Sequence, residues 1–303
     1  MSEVLLQCRK GIHRTITNTI LSTIEAGEGT YKVPWHAPAG FAAHLPVNAA
    51  THAVYRGVNI LSLWIEAQVK RYPSAHWASY RQWQSLGAQV RKGERGAMVV
   101  FYKRMEMRAT EAEDHDKKGE LRFFARASHV FNAAQVDGYR PEVSEQISEF
   151  QKVQEVEAFV ATLQADVRHG FGHACYRRDT DTIEMPNREW FLAAGSETPE
   201  RSYYAVLLHE LTHWSGAPHR LNRLFGKRFG DEAYAFEELV AELGAAFLCA
   251  AFGLSSEPRP DHAAYVGHWL KILDRDSKAI FLAAAKAQEA FEHLAYLAIK
   301  PDA

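Results

Sequence analysis

The sequence predicts an α+β protein in two parts: an N-terminal α/β part, then a mainly helical part with a small sheet. Three observations carry that expectation. Strand and helix rhythms alternate before residue 140, whereas helical spacing dominates after it. The charge balance changes sign at the same place: residues 1–140 hold 19 Lys and Arg against 12 Asp and Glu, and the remainder holds 35 − 19 = 16 against 37 − 12 = 25. Between them, residues 138–150 contain Pro141 and several acidic residues and read as a linker, giving units of 1–140 and 141–303. A chain of 303 residues that is 47% hydrophobic can bury a core in each part, which excludes wholesale disorder.

Each element has its own warrant. Residues 2–26 place Leu6, Ile12, Ile16, Ile20 and Ile24 near one helical face, and Gly27 and Gly29 end the run. Residues 30–52, with Pro34, Pro38 and Pro46, read as irregular. Residues 56–71 form a helix burying Ile60, Leu61, Trp64, Ile65 and Val69. Met98 to Tyr102 is a short apolar strand, Glu111 to Glu120 a charged hairpin tip, and Arg122 to Phe131 the return strand. In the second half, 151–166 is a helix and 172–185 two strands turning at Arg178–Asp181. Helices follow at 200–215, 233–252, 261–273 and 278–298.

Cys8, Cys175 and Cys249 are odd in number and far apart, so no disulfide framework is expected and a reducing compartment fits. Residues 1–30 lack an apolar signal core, and no window approaches the roughly 18 apolar residues that span a bilayer. The expectation is a cytoplasmic protein with no membrane partner.

The most specific motif is His209-Glu210-Leu211-Thr212-His213. Histidines four apart on a helix share a face and can chelate one metal ion. Glu210 beside them need not ligate; it can take a proton from an activated water and pass it to a leaving group, so it is the candidate catalytic residue. Two candidates compete for third ligand. His219, after Gly216, extends the motif to the metzincin pattern, but that pattern also needs a downstream Met-turn, and Met1, Met98, Met105, Met107 and Met185 all lie upstream. The other is the helix with Glu237, Glu238 and Glu242, where Glu238 is the expected ligand and Glu242 the carboxylate that orients a ligand imidazole. One divalent ion is expected, Zn²⁺ first, with Mn²⁺ or Co²⁺ suited to similar donors. Three protein ligands leave a position open, which implies metal-assisted hydrolysis, foremost of a peptide bond, with the strands of 172–185 offering an edge for an extended substrate. Tyr265 or His268 is a candidate to steady an oxyanion.

The basic half interleaves aromatic and cationic residues: Tyr55, Arg56 and Asn59, then Trp77 and Tyr80, then Arg91, Lys92 and Lys103. Aromatic faces stack on unpaired bases and Lys or Arg neutralise phosphates, so these eight are candidates for a single-stranded DNA surface. Trp64 and Trp83 read as core.

These residues also carry a family resemblance. The run from Trp35 through Tyr55-Arg56-Gly57-Val58-Asn59 and Trp77 to Leu86-Gly87-x-x-Val90-Arg-Lys-Gly93-Glu94 resembles the single-stranded-DNA-binding domain of ArdC-type antirestriction proteins. Asp181-x-Ile183-x-Met185-Pro186, Tyr203-Tyr204, the His209–Gly216 run, Arg220-Leu221-Asn222-Arg223 and Glu237-Glu238-Leu-Val-Ala-Glu242 resemble the zincin-like metallopeptidase domain of that family. The resemblance implies a gluzincin-type second domain with an acidic third ligand, which favours Glu238 over His219. It further implies a protein of a conjugative plasmid or similar element that shields incoming DNA from host restriction, with a host restriction protein as candidate target or substrate. Two other readings remain at this point: a DNA-binding shield with a structural or vestigial metal site, and a plain cytosolic metalloprotease.

Overall fold

The computed structural model describes residues 2–26, 35, 44–106, 121–140, 148–192, 198–225, 232–254 and 263–299; the side chains of 2–10, 26, 102–106, 121–125 and 263–265 fall outside that description. The expected hairpin tip at 111–120 and most of the irregular run 30–52 before residue 44 also lie outside it.

The first half builds its sheet across a long hairpin. Strands β4 (Ala97–Glu106) and β5 (Leu121–Asn132) pair antiparallel from Ala97↔Val130 to Glu106↔Leu121, longer at both ends than the sequence predicts. Two short strands, β1 (Val47–Asn48) and β2 (His76–Ala78), extend the sheet to the order β1-β2-β5-β4. A second pair, β3 (Gln89–Val90) and β6 (Val136–Asp137), frames the basic turn that follows Val90. Helix α1 (Ser2–Ala26) buries Ile16, Ile20 and Ile24, each four residues from the next, as the helical period requires. Helix α2 (Val58–Lys70) packs on β4, and Asn59 makes both of its amide hydrogen bonds to the Val100 backbone, at 2.8 and 2.7 Å. Helix α3 (Tyr80–Ser85) is too short for a periodicity signal; a Ser79–Gln82 capping box starts it.

The second half opens with α4 (Glu149–Thr162), started by a Ser148–Gln151 capping box. The helix ends four residues before the expected 166, because Asp166–His169 is instead strand β7, a mostly exposed polar segment without an alternating apolar pattern. It pairs parallel with β9 (Thr182–Met185), and β8 (Cys175–Arg177) pairs antiparallel on the other side, giving the order β7-β9-β8. Helices α5 (Pro199–Ser215), α6 (Glu232–Ala251), α7 (Ala263–Arg275) and α8 (Ala279–Ile299) follow the expected spans closely. Thr198 caps α5 and Pro199 occupies its first turn, where no amide partner is lost.

The largest core is shared by both halves. Leu61, Trp64 and Val99 pack in one cluster with Leu243, Phe247 and Ile280, and the Trp64 and Phe247 rings lie 5.9 Å apart. A second core, of Ile183, Tyr204, Leu208 and Leu211 with Leu248 and Cys249, ties the small sheet to α5 and α6. Where α5 crosses α6, a Cβ at Gly244 would stand 2.5 Å from Thr212 Cγ2, so only glycine permits this closeness of the two helices. That close crossing brings the histidines of α5 against the carboxylates of α6.

Candidate metal centre

His209 and His213 project from one face of α5 with Nε2 atoms 3.1 Å apart. Glu238 on α6 closes the third corner: one carboxylate oxygen lies 3.5 Å from His209 Nε2, the other 3.4 Å from His213 Nε2. All three side chains are buried, and their donor atoms lie within 4.8 Å of one another. A tetrahedral ion with bonds of about 2.0–2.1 Å separates its ligand atoms by about 3.3 Å. The spacing of this triad therefore suits one small divalent ion.

The outer contacts explain why the triad holds its shape. His209 Nδ1 faces Glu242 at 3.4 Å, and His213 Nδ1 faces Glu237 at 3.2 Å. With Nδ1–H directed at those carboxylates, both Nε2 lone pairs turn inward toward Glu238. Three converging electron-rich atoms repel unless positive charge sits among them. Burial alone would lower the His213 pKa, but Glu238 and Glu237 overcome it and raise the value to about 10. Glu238 is held far below the ordinary carboxylate range despite its burial, because His213 and His209 face it. The cluster thus favours a cation at its centre, and the donor set fits a metal ion.

Arg223 secures the far side. Its guanidinium donates to both Glu237 oxygens at 2.8–3.2 Å, to Ser215 Oγ at 2.8 Å and to the Thr212 carbonyl at 2.5 Å. Arg223 and Glu237 are both buried, so this pair has no solvent to replace either partner. The sequence points to Glu242 as a supporting carboxylate but marks neither Glu237 nor Arg223 for such a role. The available signal was spacing: Glu237 lies one position from the expected ligand, and a buried helix presents neighbouring residues to different partners.

Glu210 is buried beside the triad on the same helix, and its carboxylate accepts the Tyr176 backbone N–H of β8 at 2.8 Å. Strand β8 lies close enough that burial, Glu210, Glu184 and Glu238 together push up the Cys175 thiol pKa. Tyr176 is anchored in turn: its hydroxyl donates to Asp181 at 2.8 Å, and Asp181 pairs with Arg220, whose guanidinium lies over the Trp214 ring. Burial and Asp181 push the Tyr176 hydroxyl pKa up to about 12, so it stays protonated as a donor at neutral pH.

His219 does not join the triad. It is largely exposed and lies 3.4 Å from Asp181, where the chain leaves α5. The helix ends at Ser215, so the helical spacing that aligns His213 with His209 no longer applies at 219. His268 is half-buried on α7, and the Tyr265 side chain lies outside the described residues.

The eight candidate DNA residues separate by position. Trp77 departs from the expectation of a DNA surface, being 1% exposed in the core, whereas Asn59 is buried with its amide engaged by β4 and lies on the wall of a cleft. Aromatic and amide side chains satisfy core packing as readily as ligand binding, and the sequence does not separate the two. Tyr55 is buried with its hydroxyl bonded to Asn48 at 3.2 Å, and Arg56 is exposed and paired with Glu292 of α8; both border a cleft. Tyr80, Arg91 and Lys92 are exposed, with Tyr80 bonded to Gln89 and Arg91 to Glu94. The Lys103 side chain lies outside the described residues. Among the described residues, no helix is long and apolar enough to cross a membrane.

Comparison with known proteins agrees with this architecture. Residues 10–131 match the N-terminal domain of anti-restriction factor ArdC, and residues 154–286 match a zincin-like metallopeptidase domain. An uncharacterized protein, y4eC, of Sinorhizobium fredii is 48% identical over 92% of this chain and 89% of its own length. The DNA primase TraC of Escherichia coli is 34% identical over 94% of this chain, which spans only 27% of that longer protein. The crystal structure of the antirestriction protein ArdC from plasmid R388 superposes with a TM-score of 0.76 at 35% identity, covering 96% of this chain and 99% of that one. Its Mn(II)-bound form gives 0.73 at 36% identity, with the same coverage. On this likeness along nearly its whole length, the chain belongs to the ArdC family of antirestriction proteins.

Proposed function

We propose that this protein binds single-stranded DNA through its basic half and carries a metal-dependent peptidase site in its helical half. In this reading it acts in the cytoplasm to protect DNA entering by conjugation from host restriction. The observation that carries the reading is the buried triad of His209, His213 and Glu238 with Glu210 beside it, on a chain whose first half matches the ArdC N-terminal domain. His209, His213 and Glu238 are the proposed ligands of one divalent ion; the Mn(II)-bound relative supports a divalent ion, and the two-nitrogen, one-carboxylate set also suits Zn²⁺.

Such an ion supplies Lewis acidity, polarising a carbonyl and making a nearby water more acidic. Glu210 takes a proton from that water as its oxygen bonds to the scissile carbonyl carbon. The same carboxyl gives the proton to the amide nitrogen as the carbon–nitrogen bond breaks. The Tyr176 N–H holds one Glu210 oxygen and so fixes the carboxylate beside the triad. Glu242 and Glu237 keep the two imidazoles turned inward. Strand β8 forms one edge of its sheet, where an extended peptide has backbone groups to pair with. A host restriction protein is the proposed target or substrate.

A Glu210→Gln variant tests the reading, because it keeps the shape and removes the proton carrier. It should retain divalent-ion binding and single-stranded DNA binding while losing metal-dependent peptide cleavage and protection of conjugated DNA in a restricting recipient. Full protection by the variant would show that proteolysis is not the mechanism.

A further inference from the structure

A cleft of about 1390 Å³ opens between the β4–β5 sheet and helix α8. It gathers three large apolar side chains that remain exposed: Phe101 at 51%, Leu282 at 53% and Val54 at 44%. Its polar wall is a small amide network. Asn48 Nδ2 lies 3.2 Å from the Tyr55 hydroxyl and 3.3 Å from Gln82 Oε1, while Gln82 Nε2 reaches Asn48 Oδ1 at 3.4 Å. The bonds between these side chains are long, so a better-placed partner can replace them at little cost. Gln82 Oε1 stays held by the Ser79 N–H and hydroxyl at 2.9 Å, which leaves Nε2 as the group that can turn to a ligand. Asn48 Oδ1 is fixed by the Ala50 and Thr51 backbone amides at 3.0 and 3.1 Å, which presets the carboxamide.

The charges on the lining cancel, Arg56 and Lys278 against Glu289 and Glu292, with Arg56 bonded to Glu292. A phosphate gains little from such a lining. Planar, uncharged heterocycles gain an aromatic face at one end of the cleft and amide groups at the other. Positive charge lies next to the ring instead. Arg126 is the register partner of Phe101, so it shares that sheet face, and it is exposed. A phosphate beside a base stacked on Phe101 would meet that guanidinium.

We propose that this cleft holds unstacked bases of a bound single strand, one stacked on Phe101 with Arg126 beside its phosphate, and another farther along the cleft whose edge meets the Asn48 and Gln82 amides. This rests on the reading that the chain binds single-stranded DNA. It places these bases in a cleft assembled from both halves rather than on the basic turn at 91–95.

The test uses the full chain and a fluorescent oligothymidylate, followed by anisotropy at two salt concentrations. Phe101 is half exposed, so Phe101→Ala should fold as wild type, as circular dichroism checks. It should weaken binding about tenfold or more, the stacking contribution of one base. Phe101→Trp should restore binding. One abasic position placed in turn along the strand should weaken wild type at a particular site and have little effect on Phe101→Ala. Wild-type affinity in Phe101→Ala would overturn the cleft assignment while leaving DNA binding intact. Failure of the wild-type chain to bind at low salt would overturn the DNA-binding reading itself, and the cleft with it.

Discussion

The metal centre and the cleft solve opposite problems. At the metal centre, His209, His213, Glu237, Glu238 and Glu242 are all buried, and each faces an oppositely charged or ligating partner within 3.5 Å. At the cleft, the candidate stacking ring is half exposed and the bonds between the Asn48 and Gln82 amides are long. An ion demands fixed donor geometry, because ligands displaced by half an ångström lose it. A single strand needs only a flat face and a few adaptable donors. Rigidity in one region and looseness in the other therefore suit the ligands proposed for them.

The largest effect expected is at the rigid region. His213→Ala should reduce divalent-ion affinity by more than the roughly 10–100-fold typical of losing an outer partner. Titration calorimetry with Zn²⁺ or Mn²⁺ measures it, and affinity near wild type would mean that the ion sits elsewhere. Arg223→Met is the sharper probe, since it leaves Glu237 charged in a buried pocket. Breaking such a pair costs about 3–5 kcal/mol, read as a lower midpoint in urea unfolding. Ion affinity should fall about 10–100-fold as His213 loses its orientation. Unchanged stability would show that water replaces the guanidinium and that the pocket is less closed than its burial indicates.

Gly244→Ala tests whether the helix crossing sets the donor spacing. The added methyl meets Thr212 and must part α5 from α6, at about 1–3 kcal/mol, with weaker ion binding as the readout. A variant that binds the ion as wild type would uncouple the crossing from the site. The smallest effect belongs to the loose region. Lys92 is exposed, so Lys92→Ala should change stability by less than about 0.5 kcal/mol. If Lys92 contacts a phosphate, the salt slope of single-strand binding should fall by about 1. A tenfold affinity loss with an unchanged slope would assign Lys92 a contact other than phosphate.

The same contrast explains how much the sequence disclosed. His209, Glu210 and His213 lie within one helical turn and a quarter, so their shared face is fixed by the α-helical period. Glu238 and Glu242 repeat the same i, i+4 relation on one later helix. The long hairpin and the helices α5 to α8 were legible for the same reason, because apolar period is a local property. Strand β7 was not, since Asp166–His169 is polar and its pairing with β9 is nonlocal. Arg223 gave no signal, because its role depends on the fold-back after α5 that sets it against Glu237. The cleft was the least legible: Asn48, Phe101 and Leu282 come to line one cleft only after the shared core has joined the two halves.

A crystal structure of the protein soaked in Zn²⁺ tests most directly whether His209, His213 and Glu238 are the ligand set. One ion should be bound by Nε2 of His209, Nε2 of His213 and the Glu238 carboxylate, with Glu210 nearby and not ligating. An ion completed by His219 or Glu210 in place of Glu238, or one bound away from α5, would contradict that assignment.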